Sequence, residues 1–220
     1  LGESPPDRRN GIHFLAPSDL QPTKAAGVTF AISMLERVIE EQAKGDPSCA
    51  AALRDTIEQQ IGEDLSAIVP GSEQSEALKA KLIEMGAWSQ YLEVGIGPMA
   101  EIFTKAPPMA AVGLGAAVGL HPFSTWSNPE PEIALAIAAS GEVVGATLGN
   151  DVNLRDIEGR SALLLGRAKD NNASASLGPF FRLFDESFGI DDIRTAQLSL
   201  KVTGEDQFVL EGASDMTAIS

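Results

Sequence analysis

The sequence predicts an α+β protein in which a helical first part is followed by a part rich in strands. Between residues 24 and 91, three segments carry apolar side chains every three or four positions, as on one face of an α-helix. Beyond Gly95, short apolar runs alternate with turns made of glycine, serine and acidic residues, which is typical of β-hairpins. We therefore predict a helical segment over residues 1–97 and a β-rich domain over residues 98–220.

The three predicted helices span residues 24–44, 48–61 and 72–91. The first places Ile32, Leu35, Val38 and Ile39 at helical spacing and ends at Gly45-Asp46-Pro47. The second opens at Ser48. The third opens at Ser72, whose hydroxyl can accept a hydrogen bond from an amide of the first helical turn.

The predicted strands lie in the second part of the chain. Tight turns at residues 140–142 and 204–206 predict two hairpins, whereas the glycine-rich residues 107–122 predict a loop with a short strand. The chain stops shortly after a strand, so we expect the β-rich domain to be incomplete at its C-terminus. The predicted strands span residues 100–107, 132–139, 143–150, 177–184, 196–202 and 207–212.

Composition and charge exclude several classes of partner. The 220 residues carry a net charge of -15, which argues against nucleic acid and against an anionic membrane surface, since both require clustered Lys and Arg. An anionic substrate remains compatible, because a bound metal can supply positive charge locally. No apolar run reaches membrane-spanning length. The single cysteine, Cys49, rules out an internal disulfide framework and predicts a cytoplasmic location.

Three acidic residues form the most informative pattern. Glu130 and Glu132 are two positions apart at the start of a strand, so their side chains share a face. The following hairpin returns the chain to Asp151, which strand pairing can bring beside them. Carboxylates that converge on an apolar face repel one another and lose hydration. A hard divalent cation would compensate both effects, and oxygen ligands suit Mg²⁺, Ca²⁺ or Mn²⁺.

The alternative to a metal site is that the two glutamates are solvated side chains on an edge strand. An acidic pair of this spacing, taken by itself, is more often solvated than bound to a metal. The strand that returns to Asn150-Asp151 makes the solvated alternative less favoured here. No His-Cys or His-His pairing in the sequence indicates a zinc site.

Several segments together resemble the fumarylacetoacetate hydrolase superfamily. They read "EPEIALAI" (130–137), "GATLGNDVNLRDIEG" (145–159) and "AKDNNASASLGP" (168–179), with "FTKAP" (103–107) and "AAGVTF" (25–30) upstream. The resemblance covers roughly residues 24–212. It implies a mixed β-roll or β-sandwich with helical lid segments outside it. The tight hairpin between the acidic motifs is most similar to the bacterial dehydratases of 2-keto-3-deoxy sugar acids.

The resemblance implies a metal-dependent lyase that acts on a small 2-keto acid. The expected reaction dehydrates 2-dehydro-3-deoxy-D-arabinonate to 2,5-dioxopentanoate, with Mg²⁺, or else Ca²⁺ or Mn²⁺, held by Glu130, Glu132 and Asp151. A homodimer or higher homo-oligomer is expected. The alternative within the superfamily is a carbon–carbon hydrolase or decarboxylase for a 2,4-diketo acid. Its usual lid histidine is absent from residues 24–91, which favours the lyase. A third alternative is a binding protein with a relic site, against which the intact acidic set argues.

The resemblance also implies roles for four further side chains. Lys169 matches the lysine of the family pattern and is the candidate base for a C3 proton; otherwise it is a surface lysine paired with Asp170. Glu36, on the predicted lid helix, could assist departure of the C4 hydroxyl, or could be a solvated helix residue. Lys105 and Ser174 are candidates for binding substrate, with structural roles as their alternatives.

Overall fold

A computed structural model describes residues 13–27, 39, 55, 68–86, 88 and 90–218. These residues fall into two compact units, one within Leu1–Ala25 and Phe103–Thr217 and the other within Ala26–Ile102 and Ala218–Ser220. The predicted helices over residues 24–44 and 48–61 lie largely outside the described residues, and Glu36 lies outside them. The predicted domain boundary after residue 97 stays a prediction.

The unit around residues 68–102 contains two helices where the sequence predicts one. Helix α1 spans Glu73–Glu84 and helix α2 spans Gln90–Ile96. Gly86 adopts a left-handed φ of 67° between them, a conformation that ends a right-handed helix and that glycine adopts without steric cost. The helix predicted over residues 72–91 is therefore wrong in its length.

The start and the inner face of α1 agree with the sequence. Ser72 precedes the helix, and its Oγ accepts a hydrogen bond from the backbone N–H of Ser75 at 3.2 Å. Leu78 and Leu82, four positions apart, are buried on the same face. Lys79 on this helix pairs with Glu93 of α2 at 2.6 Å.

The strand-rich unit contains four small sheets, so the α+β composition predicted from the sequence is confirmed. The pairings are β1 with β2, β3 with β6, β4 with β5 and β7, and β8 with β9. The first helix is predicted to start at residue 24, but residues 23–26 form strand β1 instead. The rolled or sandwiched sheet stays a prediction. The bounds are β1 Thr23–Ala26, β2 Ile102–Ala106, β3 Ser127–Asn128, β4 Pro131–Ile137, β5 Val143–Asp151, β6 Asn153–Leu154, β7 Ala175–Leu183, β8 Gln197–Thr203 and β9 Val209–Asp215.

The antiparallel sheet β4-β5-β7 is the central feature of this unit. The hairpin turn between β4 and β5 places Gly141 at a left-handed φ of 88°. In the resulting register Glu132 lies opposite Gly149, which in turn lies opposite Leu177 of β7. A Cβ atom on Gly149 would stand 3.4 Å from Leu177 Cδ2, an ordinary van der Waals distance.

Two short helices that the sequence did not predict follow β6. Helix α3 spans Arg155–Glu158, and after a 3-10 turn helix α4 spans Leu165–Lys169. Their apolar side chains pack with the end of β6 into a small core of Leu154, Ile157 and Ala168, with Leu164 against it. A fifth helix, α5 (Ile190–Arg194), precedes β8. None of the helices in the described ranges is long and apolar enough to cross a bilayer.

Candidate metal centre

The three acidic residues predicted from the sequence do converge. The backbone N–H of Asp151, at the end of β5, donates to the carbonyl of Glu130 at 2.9 Å, which continues the β4-β5 ladder past the start of β4. Glu130, Glu132 and Asp151 each offer one carboxylate oxygen, and these oxygens lie within 4.8 Å of one another. The two glutamates, beside and on the edge strand β4, are half-buried and Asp151 is buried, which argues against the alternative of fully solvated side chains.

The donor set fits a hard divalent cation. Asp151 Oδ1 is buried and, within the described chain, accepts no hydrogen bond of good geometry although an ammonium group lies near it. Burial, followed by the charges of Asp151 and Glu130, raises the pKa of Glu132 to about 7. Both observations indicate negative charge that the protein compensates incompletely. Three carboxylate oxygens that lie close together form a ligand set suited to Mg²⁺, Ca²⁺ or Mn²⁺.

Lys169, at the end of α4, supplies one of two ammonium groups at this centre. Its Nζ contacts Glu130 Oε2 and lies 3.1 Å from Asp151 Oδ2. Burial by itself lowers the pKa of Lys169, but the charges of Glu130 and Asp151 outweigh it and raise that pKa above its usual value. Because Lys169 is only 3% exposed, its interpretation as a surface lysine does not hold.

Lys105, on β2, supplies the second ammonium group that contacts the acidic residues. Its Nζ lies 2.9 Å from Asp151 Oδ1 and donates to the carbonyls of Val152, at 2.7 Å, and of Lys169. Ser174 Oγ lies 3.2 Å away. Burial lowers the pKa of Lys105, against the opposing influence of Asp151. Through these contacts, the Nζ of Lys105 on β2 binds both the end of β5 and the end of α4. Contact of Lys105 with a substrate stays a prediction.

Ser174 lies in the turn that connects α4 to β7. Its Oγ is 2.8 Å from the carbonyl of Lys169 and 2.7 Å from that of Asn171, and it accepts a hydrogen bond from the N–H of Asn171 at 3.1 Å. The buried hydroxyl thereby shapes the turn that holds Lys169. Its predicted contact with a substrate remains open to test.

Two side chains near the centre were not predicted. Asn153 and Glu158 are both buried. Asn153 Nδ2 donates to Glu130 Oε1 at 3.0 Å and to Glu158 Oε2 at 2.6 Å. The sequence held one signal, since Asn153 follows Asp151 by two positions and so shares its side of an extended chain. Glu158 gave none, because its contact depends on the position of α3.

Comparison with known proteins finds relatives named as dehydratases of 2-keto-3-deoxy sugar acids. No family model matches the chain. It is 31% identical over 144 residues to a probable 2-keto-3-deoxyxylonate dehydratase of Haloferax volcanii, covering 66% of this chain and 47% of that protein. It is 34% identical over 113 residues to the 2-dehydro-3-deoxy-D-arabinonate dehydratase of Saccharolobus solfataricus, covering 51% of this chain and 37% of that protein.

A solved structure agrees with these relatives. The structure of a 2-keto-3-deoxy-D-arabinonate dehydratase complexed with magnesium and 2,5-dioxopentanoate matches with a TM-score of 0.56 and 30% identity, over 60% of this chain and 46% of that one. The chain thus spans about half the length of the proteins it matches, or less. Over that span, the resemblance to the 2-keto-3-deoxy sugar acid dehydratases is confirmed.

Proposed function

We propose that this chain carries the metal centre of a dehydratase for a 2-keto-3-deoxy sugar acid. The expected substrate is 2-dehydro-3-deoxy-D-arabinonate and the expected product is 2,5-dioxopentanoate. One observation carries the proposal: three carboxylates converge beside a buried lysine in a chain that is similar to dehydratases of this kind. The proposed fold around the centre is the rolled or sandwiched sheet that the resemblance implies.

The residues that would hold the cation are Glu130, Glu132 and Asp151. Magnesium is the first candidate, because a similar solved dehydratase was complexed with it, and Ca²⁺ and Mn²⁺ are the alternatives. When bound beside a 2-keto acid, such a cation polarises the carbonyl and acidifies the adjacent C–H bond.

Lys169 is the proposed base for the C3 proton. Its Nζ lies beside Glu130 and Asp151, two of the proposed metal ligands, and this proximity supports the proposed role. The Nζ must release its own proton before it can take one from the substrate. Burial of the lysine, at 3% exposure, excludes bulk water from that transfer and keeps the side chain in one place.

The remaining predicted roles belong to the same proposal. Glu36 would assist departure of the C4 hydroxyl from a lid segment, while Lys105 and Ser174 would bind the substrate or fix the residues that do. A cytoplasmic location and a homodimer or higher homo-oligomer complete the proposal.

The proposal is tested by incubating the full-length protein and Mg²⁺ with a panel of 2-keto-3-deoxy acids and acylpyruvates. Mass spectrometry then separates the outcomes. We expect loss of one water from a 2-keto-3-deoxy pentonate. Cleavage of an acylpyruvate would instead identify the hydrolase, and loss of carbon dioxide the decarboxylase. Glu132→Gln is the control that should abolish the product while the circular dichroism spectrum stays unchanged. No product from any substrate would contradict the proposal.

A further inference from the structure

We propose that Asn153 is a positioning residue, which orients the carboxylate of Glu130 for the cation through a bridge to Glu158. The inference rests on the proposed metal centre but concerns residues that form no part of the predicted ligand set. Asn153 is fully buried, with 0% exposure, and Glu158 is 7% exposed. A buried amide placed between two carboxylates requires a reason, because each of these groups loses hydration there.

The amide group of Asn153 reaches both carboxylates through one nitrogen. Its Nδ2 lies 3.0 Å from Glu130 Oε1 and 2.6 Å from Glu158 Oε2. The NH2 group has two hydrogens, so each carboxylate receives one. Of the residue types of similar size, only an asparagine supplies two such donors: aspartate would add a third negative charge, and leucine would supply no donor.

The negative charges around the amide favour this orientation. In the described part of the chain, no donor reaches Asn153 Oδ1. Turning the amide over would place this oxygen against two carboxylate oxygens, which is electrostatically unfavourable. The backbone of Asn153 is fixed as well, since β6 pairs with β3 at Asn128. The donor group is therefore aimed at Glu130 from a rigid strand.

Glu130 is consequently held through both of its oxygens. Asn153 donates to Oε1, and Lys169 donates to Oε2. A carboxylate fixed in this way loses little conformational freedom when a cation binds, so more of the binding free energy is retained. Outer hydrogen bonds of this kind orient metal ligands, and their removal typically costs about 10–100-fold in metal affinity or activity.

Glu158 serves as the anchor of the bridge. It lies on α3, and Arg155 Nη1 lies 3.4 Å from its Oε2. An acceptor at this point keeps the asparagine amide from rotating away from Glu130. The role needs an oxygen atom more than it needs a negative charge, so Glu158→Gln should preserve the bridge.

The test compares Mg²⁺ affinity, by isothermal titration calorimetry, among variants of the full-length protein. Asn153→Leu should weaken Mg²⁺ binding by about 10–100-fold, and Glu158→Gln should change it less than about threefold. Asn172→Leu, the same substitution at an exposed position, is the matched control and should change nothing. If Asn153→Leu fails to fold, Asn153→Ser, which removes the bridge without adding apolar volume, carries the same expectation.

A second readout separates positioning from a general loss of structure. The concentration of Mg²⁺ that gives half-maximal activity should rise for Asn153→Leu, while kcat at saturating Mg²⁺ stays within about threefold. Unchanged Mg²⁺ affinity in folded Asn153→Leu or Asn153→Ser would overturn the inference, as would an equal loss in Glu158→Gln. Absence of Mg²⁺ binding by the unsubstituted protein would instead refute the proposed metal centre.

Discussion

Glu132 carries a carboxylate at the candidate centre whose pKa is raised by its surroundings. Its pKa is raised to about 7 from 4.5, chiefly by burial and then by the neighbouring Asp151 and Glu130. Folding therefore increases the affinity of this group for a proton. The stability that it contributes is fully present below about pH 4.5 and is lost as pH rises through about 7.

This sign gives a prediction for the protein kept free of divalent metal by a chelator. Glu132→Gln cannot titrate, so its free energy of unfolding should fall less than that of the unsubstituted protein between about pH 4.5 and 7. Urea denaturation at a series of pH values measures the difference. Stabilisation of the unsubstituted protein by Mg²⁺ should grow over the same interval, because a cation competes with the proton. Parallel pH profiles for the two proteins would contradict the prediction.

Lys169 gives a second prediction at this scale. Lys169→Met should stop exchange of the substrate C3 proton with solvent deuterium, followed by NMR, and should slow turnover by at least about a hundredfold. Mg²⁺ binding should persist, because the three acidic residues and the contact of Asn153 with Glu130 stay in place. Lys201→Met, at an exposed lysine that pairs with Glu211 on the β8-β9 hairpin, is the control. Deuterium exchange at the normal rate in Lys169→Met would assign the base to another group.

The β4-β5 hairpin delivers the acidic residues to one place, so its turn gives a prediction at the scale of the element. Gly141→Ala should destabilise the protein by about 1–2 kcal/mol, because a left-handed φ of 88° strains any residue with a Cβ. No atom lies within 4 Å of that Cβ, so the cost is in the backbone. Gly166→Ala, equally open but within α4, should stabilise by up to about 1 kcal/mol. Thermal unfolding measures the stability of both variants. A destabilised Gly166→Ala together with an unaffected Gly141→Ala would contradict the prediction.

The same hairpin shows what the sequence can predict at this scale. Its turn residues and period-two spacing are local, and they sufficed to place Asp151 beside the glutamates. Helices α3 and α4 have only 4 and 5 residues, too few for a helical period to be recognised. Their stability comes from packing of Leu154, Ile157 and Ala168, which no local pattern reveals. The bridge from Asn153 to Glu158 depends on that packing and was missed for the same reason.

At the scale of the whole molecule, the net charge of -15 gives the protein a net negative electrostatic field. Added monovalent salt should weaken Mg²⁺ binding, because screening shortens the reach of that field from about 30 Å at 0.01 M to about 8 Å at 0.15 M. The residual affinity at high salt should reflect the buried ligands, which are screened far less. Titration calorimetry at several KCl concentrations measures the slope. An affinity independent of salt would show that only the local carboxylates act on the ion.

The position of Lys105 has a consequence for anyone who wishes to transplant this centre into another scaffold. The acidic ligands, Asn153 and Lys169 all fall between residues 128 and 177, which would suggest a single transferable segment. Yet Lys105 Nζ, from β2, neutralises Asp151 and occupies the carbonyls of Val152 and Lys169. A graft without this strand would remove the ammonium group that contacts Asp151 Oδ1 and the carbonyl of Val152, so the smallest portable unit consists of two separate pieces of chain.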